Sequence, residues 1–196
     1  MYKPLENLSS YDIVLASGSP RRRELLAMLD VPFRVDTSHP VDEVVPEGTT
    51  PEEVPLILSQ VKADAFPIEV GSELLVITAD TVVIIDGMIL GKPADAEDAC
   101  RMLRLLSGRS QKVVTGVTVR SADRSVCFSA ESIVNFAPLS DEEIRWYVDR
   151  YRPLDKAGAY GIQEWIGAVG ITGIEGSFYN VMGLPVQKLF SILKAW

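Results

Sequence analysis

The spacing of hydrophobic positions alternates along the chain between runs typical of strands and the three-and-four spacing typical of helices. A short apolar run at 12–17 predicts a first strand, and an apolar run at 74–85 predicts a long buried one. Asp86-Gly87 follows the long run directly and favours a two-residue turn, which predicts at least one antiparallel hairpin. Two further strands are predicted at 113–120 and 126–136.

Helices are predicted between the strands wherever a capping residue or a capping box precedes an apolar stripe. Ser19 is the expected N-cap of the first helix, and Pro20 is its first residue. Strands that alternate with helices and include a hairpin predict an α/β fold with a mixed, twisted sheet, in one domain over 1–196. The helices are predicted to begin at Pro20, after capping boxes at 50–53 and 140–143, at about Ala94 and at Pro185.

Two stretches of the chain show neither period. Residues 36–48 mix acids, prolines and valines, which predicts an irregular loop carrying Asp42 and Glu43. Residues 152–184 are rich in glycine, which predicts loops and short strands.

Pro55 removes a backbone donor, so the helix after the box at 50–53 is expected to start later than the box suggests.

Composition and charge exclude several classes of protein. The 196 residues carry 19 Lys and Arg against 27 Asp and Glu, and this net charge of −8 does not fit non-specific binding to a nucleic-acid backbone. No apolar run reaches the roughly 20 residues of a membrane span, and Met1–Glu6 lacks the order of a signal peptide. Cys100, Cys127 and the single His39 make a poor zinc set. We therefore expect a cytoplasmic protein that binds neither membranes nor nucleic-acid polymers.

The strongest local signal is Ser17–Glu24, where serines and three consecutive arginines lie at a predicted helix start. The N-terminus of a helix presents unpaired N–H groups and a partial positive charge, so serine hydroxyls and arginines there suit a phosphate chain. The alternative is a solvated basic first turn. Consecutive helical residues point about 100° apart, so at least one arginine is expected to face solvent or a partner subunit.

Asp80 is a second candidate because it interrupts an apolar strand. A buried carboxylate is costly unless it is paired or holds a metal, so Asp80 is a candidate for catalysis or Mg²⁺ binding, or it caps a loop at a strand end. Glu43 is either a second carboxylate for the same metal or a surface charge. Gly87–Pro93 is not a Walker A loop, because three residues separate its glycines and a proline follows Lys92, yet Lys92 can still contact a phosphate.

The chain carries seven characteristic segments, at 15–26, 79–83, 90–93, 106–109, 114–117, 155–163 and 183–185. Together and in this order they resemble the Maf family of nucleoside triphosphate pyrophosphatases over nearly the whole chain. The resemblance implies a Maf/ITPase-like α/β fold with two lobes around a central cleft, and a homodimer. It also implies hydrolysis of a nucleoside triphosphate substrate between its α and β phosphates, with a divalent cation, Mg²⁺ or Mn²⁺.

The same resemblance implies the substrate and the residue roles. Residues 155–163 resemble the branch of the family that acts on dTTP and UTP, with modified pyrimidine nucleotides as further candidates. Asp80 is implied as the proton acceptor, with Glu43 and Asp80 near the metal. Substrate choice is implied for Arg21, Thr81 and Gln163, and contact with the triphosphate for Ser17, Arg22, Lys62 and Lys92.

The chain departs from the family pattern at two places. Glu164 follows Gln163 where glycine is usual, and 59–61 are less basic than is common before Lys62. We expect these departures to change the shape of a loop at the base pocket rather than the chemistry. Two alternatives stay open: a house-cleaning enzyme for other non-canonical nucleotides, and a nucleotide-sensing regulator of cell division.

Overall fold

A computed structural model describes residues 3–196. Met1 and Tyr2, the start of the N-terminal segment interpreted above, lie outside the described residues. The strands are β1 (Asp12–Leu15), β2 (Arg34–Val35), β3 (Leu74–Ile85), β4 (Met88–Leu90), β5 (Ser110–Arg120), β6 (Ser125–Phe136) and β7 (Ile171–Glu175). The α-helices are α1 (Pro20–Ala27), α2 (Val54–Asp64), α3 (Ala96–Leu106), α4 (Asp141–Tyr151), α5 (Trp165–Gly170), α6 (Phe178–Met182) and α7 (Val186–Lys194). Two 3₁₀ turns cover Glu6–Leu8 and Ala157–Ala159.

Across residues 3–196 the strands form one mixed sheet in the order β2-β1-β3-β5-β6-β7, with β4 paired to β3 off this path. β1 runs parallel to both of its neighbours, with Leu15 opposite Val35 and Ile77. β3 and β4 form an antiparallel hairpin, and β7 runs antiparallel to β6. The predicted α/β fold with a mixed sheet is therefore confirmed.

The described chain divides into two compact units, and β3, β5 and β6 contribute residues to both. The first unit runs up to Asp80 and adds 115–130 and 183–196, and the second holds 81–114 and 131–182. In the first unit Phe66 packs with buried residues of β1 and β3. In the second unit a larger core joins α3 and α4 to the strands, with Tyr147 fully buried within it. No helix among the described residues is long and apolar enough to cross a membrane.

Several predicted elements are confirmed at their termini. Strand β3 covers the predicted range, and Asp86-Gly87 forms the predicted turn before β4. Ser19 caps α1 and Pro20 is its first residue. The capping box at Ser140 is complete before α4. Helix α2 begins at Val54, later than the box at 50–53 suggests, as expected from Pro55. Within that box the Glu53 carboxylate accepts hydrogen bonds from the backbone N–H and the hydroxyl of Thr50.

The prediction for 152–184 was wrong in part. Beside the loops and strand β7, this segment forms the short helices α5 and α6. Helices of five and six residues are too short to show a repeating apolar stripe, so the helical period was invisible in the sequence. The strand β2 was not predicted, because two residues are too few to show the alternating pattern of a strand. The irregular loop predicted at 36–48 is confirmed.

Candidate active site

The first turn of α1 is held by serine hydroxyls and one arginine. The Ser19 hydroxyl accepts from the backbone N–H of Arg22 at 3.4 Å, which caps the helix. The Ser17 hydroxyl accepts from the backbone N–H of Ser19 and from Arg22 Nη1, each at 3.3 Å. Arg22 Nε also donates to the carbonyl of Gly183 at 2.9 Å. Arg22 is therefore fixed between β1, α1 and the loop before α7, while Arg23 is exposed, as expected for one of the three arginines.

The Arg22 guanidinium is influenced by three charged side chains, Asp80, Arg21 and Glu43. Burial lowers the pKa of the Arg22 guanidinium below its usual value, and the negative charge of Asp80 acts in the opposite direction. The positive charge of Arg21 lowers the pKa further, and Glu43 raises it. Arg22 is thus a partly desolvated cation within the field of two carboxylates, and a cation that has lost part of its hydration binds an anion more strongly than a fully hydrated one does.

Lys62 joins the two carboxylates that the sequence singled out. Its ammonium lies 2.6 Å from Asp80 Oδ1 and 2.8 Å from Glu43 Oε1. The side chains of Lys62 and Asp80 are only 21% and 16% exposed, so this pair is partly shielded from solvent, whereas Glu43 is 55% exposed. Asp80 is therefore a paired carboxylate in the middle of β3. It does not cap a loop at the end of a strand.

A buried hydroxyl network aligns α2, which carries Lys62, with β3, which carries Asp80. The Thr78 hydroxyl donates to the carbonyl of Ser59 at 2.6 Å, and the Ser59 and Thr118 hydroxyls lie 2.9 Å apart. All three side chains are buried. Residues three apart share a helix face and residues two apart share a strand face, so these bonds lie directly beside the ion pair between Lys62 and Asp80.

Gly116 on β5 lets the start of α2 approach the sheet. A Cβ at this position would overlap the carbonyl of Pro55 and the amide of Leu56. Only glycine leaves that space, so the position of α2 depends on the missing side chain. Thr78, Ser59 and Gly116 were not singled out as functional residues in the sequence. A hydroxyl inside the apolar run of β3 was the one available signal for Thr78.

The carboxylates fit a divalent cation in part. Mg²⁺ is usually held by one or two carboxylates together with substrate phosphates, and Glu43 and Asp80 already converge on one positive charge. Among residues 3–196 no group of three or more His, Cys, Asp or Glu side chains could hold a metal ion. The donor set therefore suits a cation that completes its coordination with a bound anion, and it does not suit a cage made of protein ligands alone.

Three of the predicted residues belong to the second unit. Thr81 follows Asp80 on β3 and is half-buried. Lys92 is exposed after β4, where the neighbouring Gly91 carbonyl accepts from the N–H of Gly158 at 3.1 Å. Gln163 is exposed in the turn before α5. The first unit thus brings together Ser17, Arg21, Arg22, Glu43, Lys62 and Asp80.

Comparison with known proteins finds relatives that match nearly the whole chain. A family model described as Maf-like protein matches residues 12–196. A dTTP/UTP pyrophosphatase from Porphyromonas gingivalis is 56% identical over 192 residues, which cover 97% of this chain and 96% of that protein. Proteins of the same name from Parabacteroides distasonis and Bacteroides thetaiotaomicron are each 52% identical over 190 residues, covering 97% of this chain and 98% of theirs.

A solved structure supports the fold independently. The structure of a HAM1 protein from Coxiella burnetii matches 95% of this chain and 100% of that chain, with a TM-score of 0.50 and 17% sequence identity. At that identity the match concerns the fold alone. The family match covers most of the chain and the relatives are more than half identical over nearly their full length, so the chain belongs to the Maf family.

Proposed function

We propose that the protein hydrolyses dTTP and UTP to the nucleoside monophosphate and pyrophosphate. The observation that carries this proposal is the cluster of Lys62, Asp80 and Glu43 in the same unit as the half-buried Arg22. Here cations suited to bind phosphate lie near Asp80, a carboxylate that can accept a proton from water. The names of the relatives support the same reaction and the same substrates.

The phosphate chain is bound by the start of α1 and by the cations beside it. The partial positive charge at the N-terminus of α1 attracts the phosphates, and the hydroxyl of Ser17 donates a hydrogen bond to a phosphate oxygen. Arg22 is held by Ser17 and Gly183, so its guanidinium is oriented before substrate arrives. Such preorganised charge is the main contribution that a protein makes to phosphoryl transfer.

Asp80 accepts the proton of the attacking water. The water oxygen bonds to the α-phosphorus, the bond from that phosphorus to the α–β bridging oxygen breaks, and the pyrophosphate leaves with that oxygen and its electron pair. Lys62 keeps the Asp80 carboxylate oriented through the contact at 2.6 Å, and its own charge offsets the charge of the phosphates. Glu43 holds Lys62 from the other side.

A divalent cation, Mg²⁺ or Mn²⁺, is proposed as the cofactor, with Glu43 and Asp80 as its protein ligands. When bound, such an ion neutralises phosphate charge and polarises the phosphoryl oxygens. For the base, the Gln163 amide offers one donor and one acceptor, which match the carbonyl and N–H edge of uracil or thymine. Arg21 and Thr81 are proposed to assist this selection, and Lys92 to contact the phosphates.

The setting is part of the same proposal. We expect the enzyme to act in the cytoplasm, as a homodimer, on free nucleotides rather than on nucleic-acid polymers. The excess of acidic residues supports the last point, because non-specific binding to a nucleic-acid backbone needs excess positive charge. Sedimentation of the purified protein measures the dimer directly.

The test is a panel of canonical and modified triphosphates incubated with the purified protein and Mg²⁺ or Mn²⁺, with the products separated by chromatography. We expect UMP and dTMP with pyrophosphate, and loss of turnover after chelation with EDTA. Preferred turnover of damaged or purine triphosphates would replace the proposed substrates with those of a house-cleaning enzyme. Saturable nucleotide binding without turnover would favour a nucleotide-sensing regulator.

A further inference from the structure

The turn that carries Gln163 is held by a partly buried chain of hydrogen bonds in the second unit. The backbone N–H of Gly161 donates to the Tyr147 hydroxyl at 3.0 Å. That hydroxyl donates in turn to the carboxylate of Glu164 through a short hydrogen bond. Lys156 Nζ lies 3.2 Å from the other oxygen of the same carboxylate. Gly161 and Glu164, which flank the other two residues of the turn, therefore both hydrogen-bond to Tyr147 of α4.

These groups are shielded and correctly charged for this role. The side chains of Lys156 and Glu164 are only 10% and 17% exposed, and Tyr147 is fully buried. Burial, and then the carboxylate of Glu164, raise the pKa of the Tyr147 phenol above its usual value. The phenol therefore stays protonated at neutral pH and serves as the donor, while the Lys156 ammonium lies 3.2 Å from Glu164 and 2.7 Å from Asp155 and offsets part of their negative charge.

Gly161 leaves the space that Glu164 occupies. A Cβ at Gly161 would lie 2.7 Å from the carboxyl carbon of Glu164, closer than real Cβ contacts allow. The N–H of Glu164 also donates to the carbonyl of Gly161 at 3.0 Å, which closes the turn. The turn is thus fixed by its own backbone bond, by the carboxylate packed against Gly161 and by the tyrosine below it.

Gln163 is exposed in this turn, so the direction of its side chain depends on the backbone conformation of the turn. We propose that Tyr147, together with Glu164 and Lys156, is a positioning group that sets the 161–164 turn and thereby orients the Gln163 amide for selection of the base. The inference rests on the proposed function, in which that amide reads a uracil or thymine ring. Tyr147 acts through Gln163 and does not touch the substrate.

The experiment compares Tyr147→Phe with Tyr151→Phe in the full-length protein. Tyr151 is a suitable control because it lies on the same helix, stacks on Tyr147 with ring centroids 5.1 Å apart and stands outside this chain of hydrogen bonds. Steady-state rates are measured for UTP and for CTP, which presents an amino group and an unprotonated ring nitrogen where UTP presents a carbonyl and an N–H.

For Tyr147→Phe we expect KM for UTP to rise about three- to tenfold, as for the loss of one hydrogen bond, with a much smaller change in kcat. The ratio of kcat/KM for UTP to that for CTP should fall, because a mobile amide discriminates less between the two edges. Tyr151→Phe should leave both quantities at their wild-type values. Melting temperatures of both variants identify any general loss of stability.

Hydrogen exchange provides a readout that does not depend on turnover. The Gly161 amide should exchange faster in Tyr147→Phe than in Tyr151→Phe, and Gly161→Ala, which displaces Glu164, should loosen the turn in the same way. Unchanged exchange, or an unchanged ratio of UTP to CTP in an active Tyr147→Phe enzyme, overturns the positioning role. Absence of turnover in the wild-type protein overturns the proposed function, and the role in selection with it.

Discussion

Replacing Gly116 by alanine tests the approach of α2 to the sheet, on which the distance between Lys62 and Asp80 depends. The added Cβ would overlap the carbonyl of Pro55, which is backbone and cannot swing away as a side chain would. Carbon contacts are favourable at about 3.5–4.0 Å, so the start of α2 must retreat by about 1 Å. Lys62 follows about two turns later on the same helix and moves with it.

Two magnitudes follow from this displacement. Overpacking of this kind costs about 1–3 kcal/mol of unfolding free energy. For a chain of this size each kcal/mol corresponds to a fall of roughly 2–4 °C in melting temperature. A misplacement of about 1 Å in a positioned group reduces kcat/KM by up to about 100-fold. The variant should therefore be folded at 25 °C but less stable and much less active on UTP.

The assay pairs thermal unfolding with UTP turnover, and Gly173→Ala is the matched control. Gly173 is also a strand glycine, but a Cβ there would meet only the Asn135 side chain at 3.5 Å, an ordinary contact. We expect Gly173→Ala to keep wild-type stability and rate within about 0.5 kcal/mol. A Gly116→Ala protein with wild-type melting temperature and wild-type kcat/KM would refute the close approach of α2.

Three further perturbations address other parts of the structure. Thr78→Val removes the buried donor to the Ser59 carbonyl, and should lower the unfolding free energy by about 1–2 kcal/mol in urea denaturation. Ser140→Ala breaks the capping box of α4 and should cost about 1 kcal/mol by the same measurement, and no change would argue against the cap. Burial raises the pKa of the Tyr147 and Tyr160 phenols above their usual values, so the folded protein holds those protons and its stability should fall as the pH rises above about 10. Tyr160→Phe should make that fall shallower between pH 9 and pH 11.

Elements with a clear period or cap could be predicted from the sequence. Strand β3 was predicted at its termini because twelve residues of apolar character ended at a turn dipeptide. Helix α4 was predicted because Ser140 and Glu143 form a complete box before an apolar stripe. Helices α5 and α6 were not predicted, since a stripe needs more than the five or six residues that each of them has.

The chemistry of the site was predictable where one residue stood out against its surroundings. Asp80 is an acid in an apolar strand, and Arg22 is a cation at a helix N-terminus, where an anion is normally preferred. The pairing of Asp80 with Lys62 was not predictable, because it depends on the distance between α2 and β3 in space. Glu164 was visible as a departure from the family pattern. Its hydrogen bond to Tyr147 was not predictable, because it joins α4 to the N-cap of α5, and only the structure shows that these two lie together.

The most direct measurement is UTP turnover and UTP binding by Asp80→Asn beside the wild-type protein. Asparagine keeps the size of the side chain but cannot take up a proton as the carboxylate does. We expect the wild-type protein to release UMP and pyrophosphate, and the variant to lose at least 100-fold in kcat, the lower end of general-base effects, while still binding UTP. Undiminished turnover by Asp80→Asn, or release of orthophosphate by the wild-type protein, would contradict the proposed chemistry.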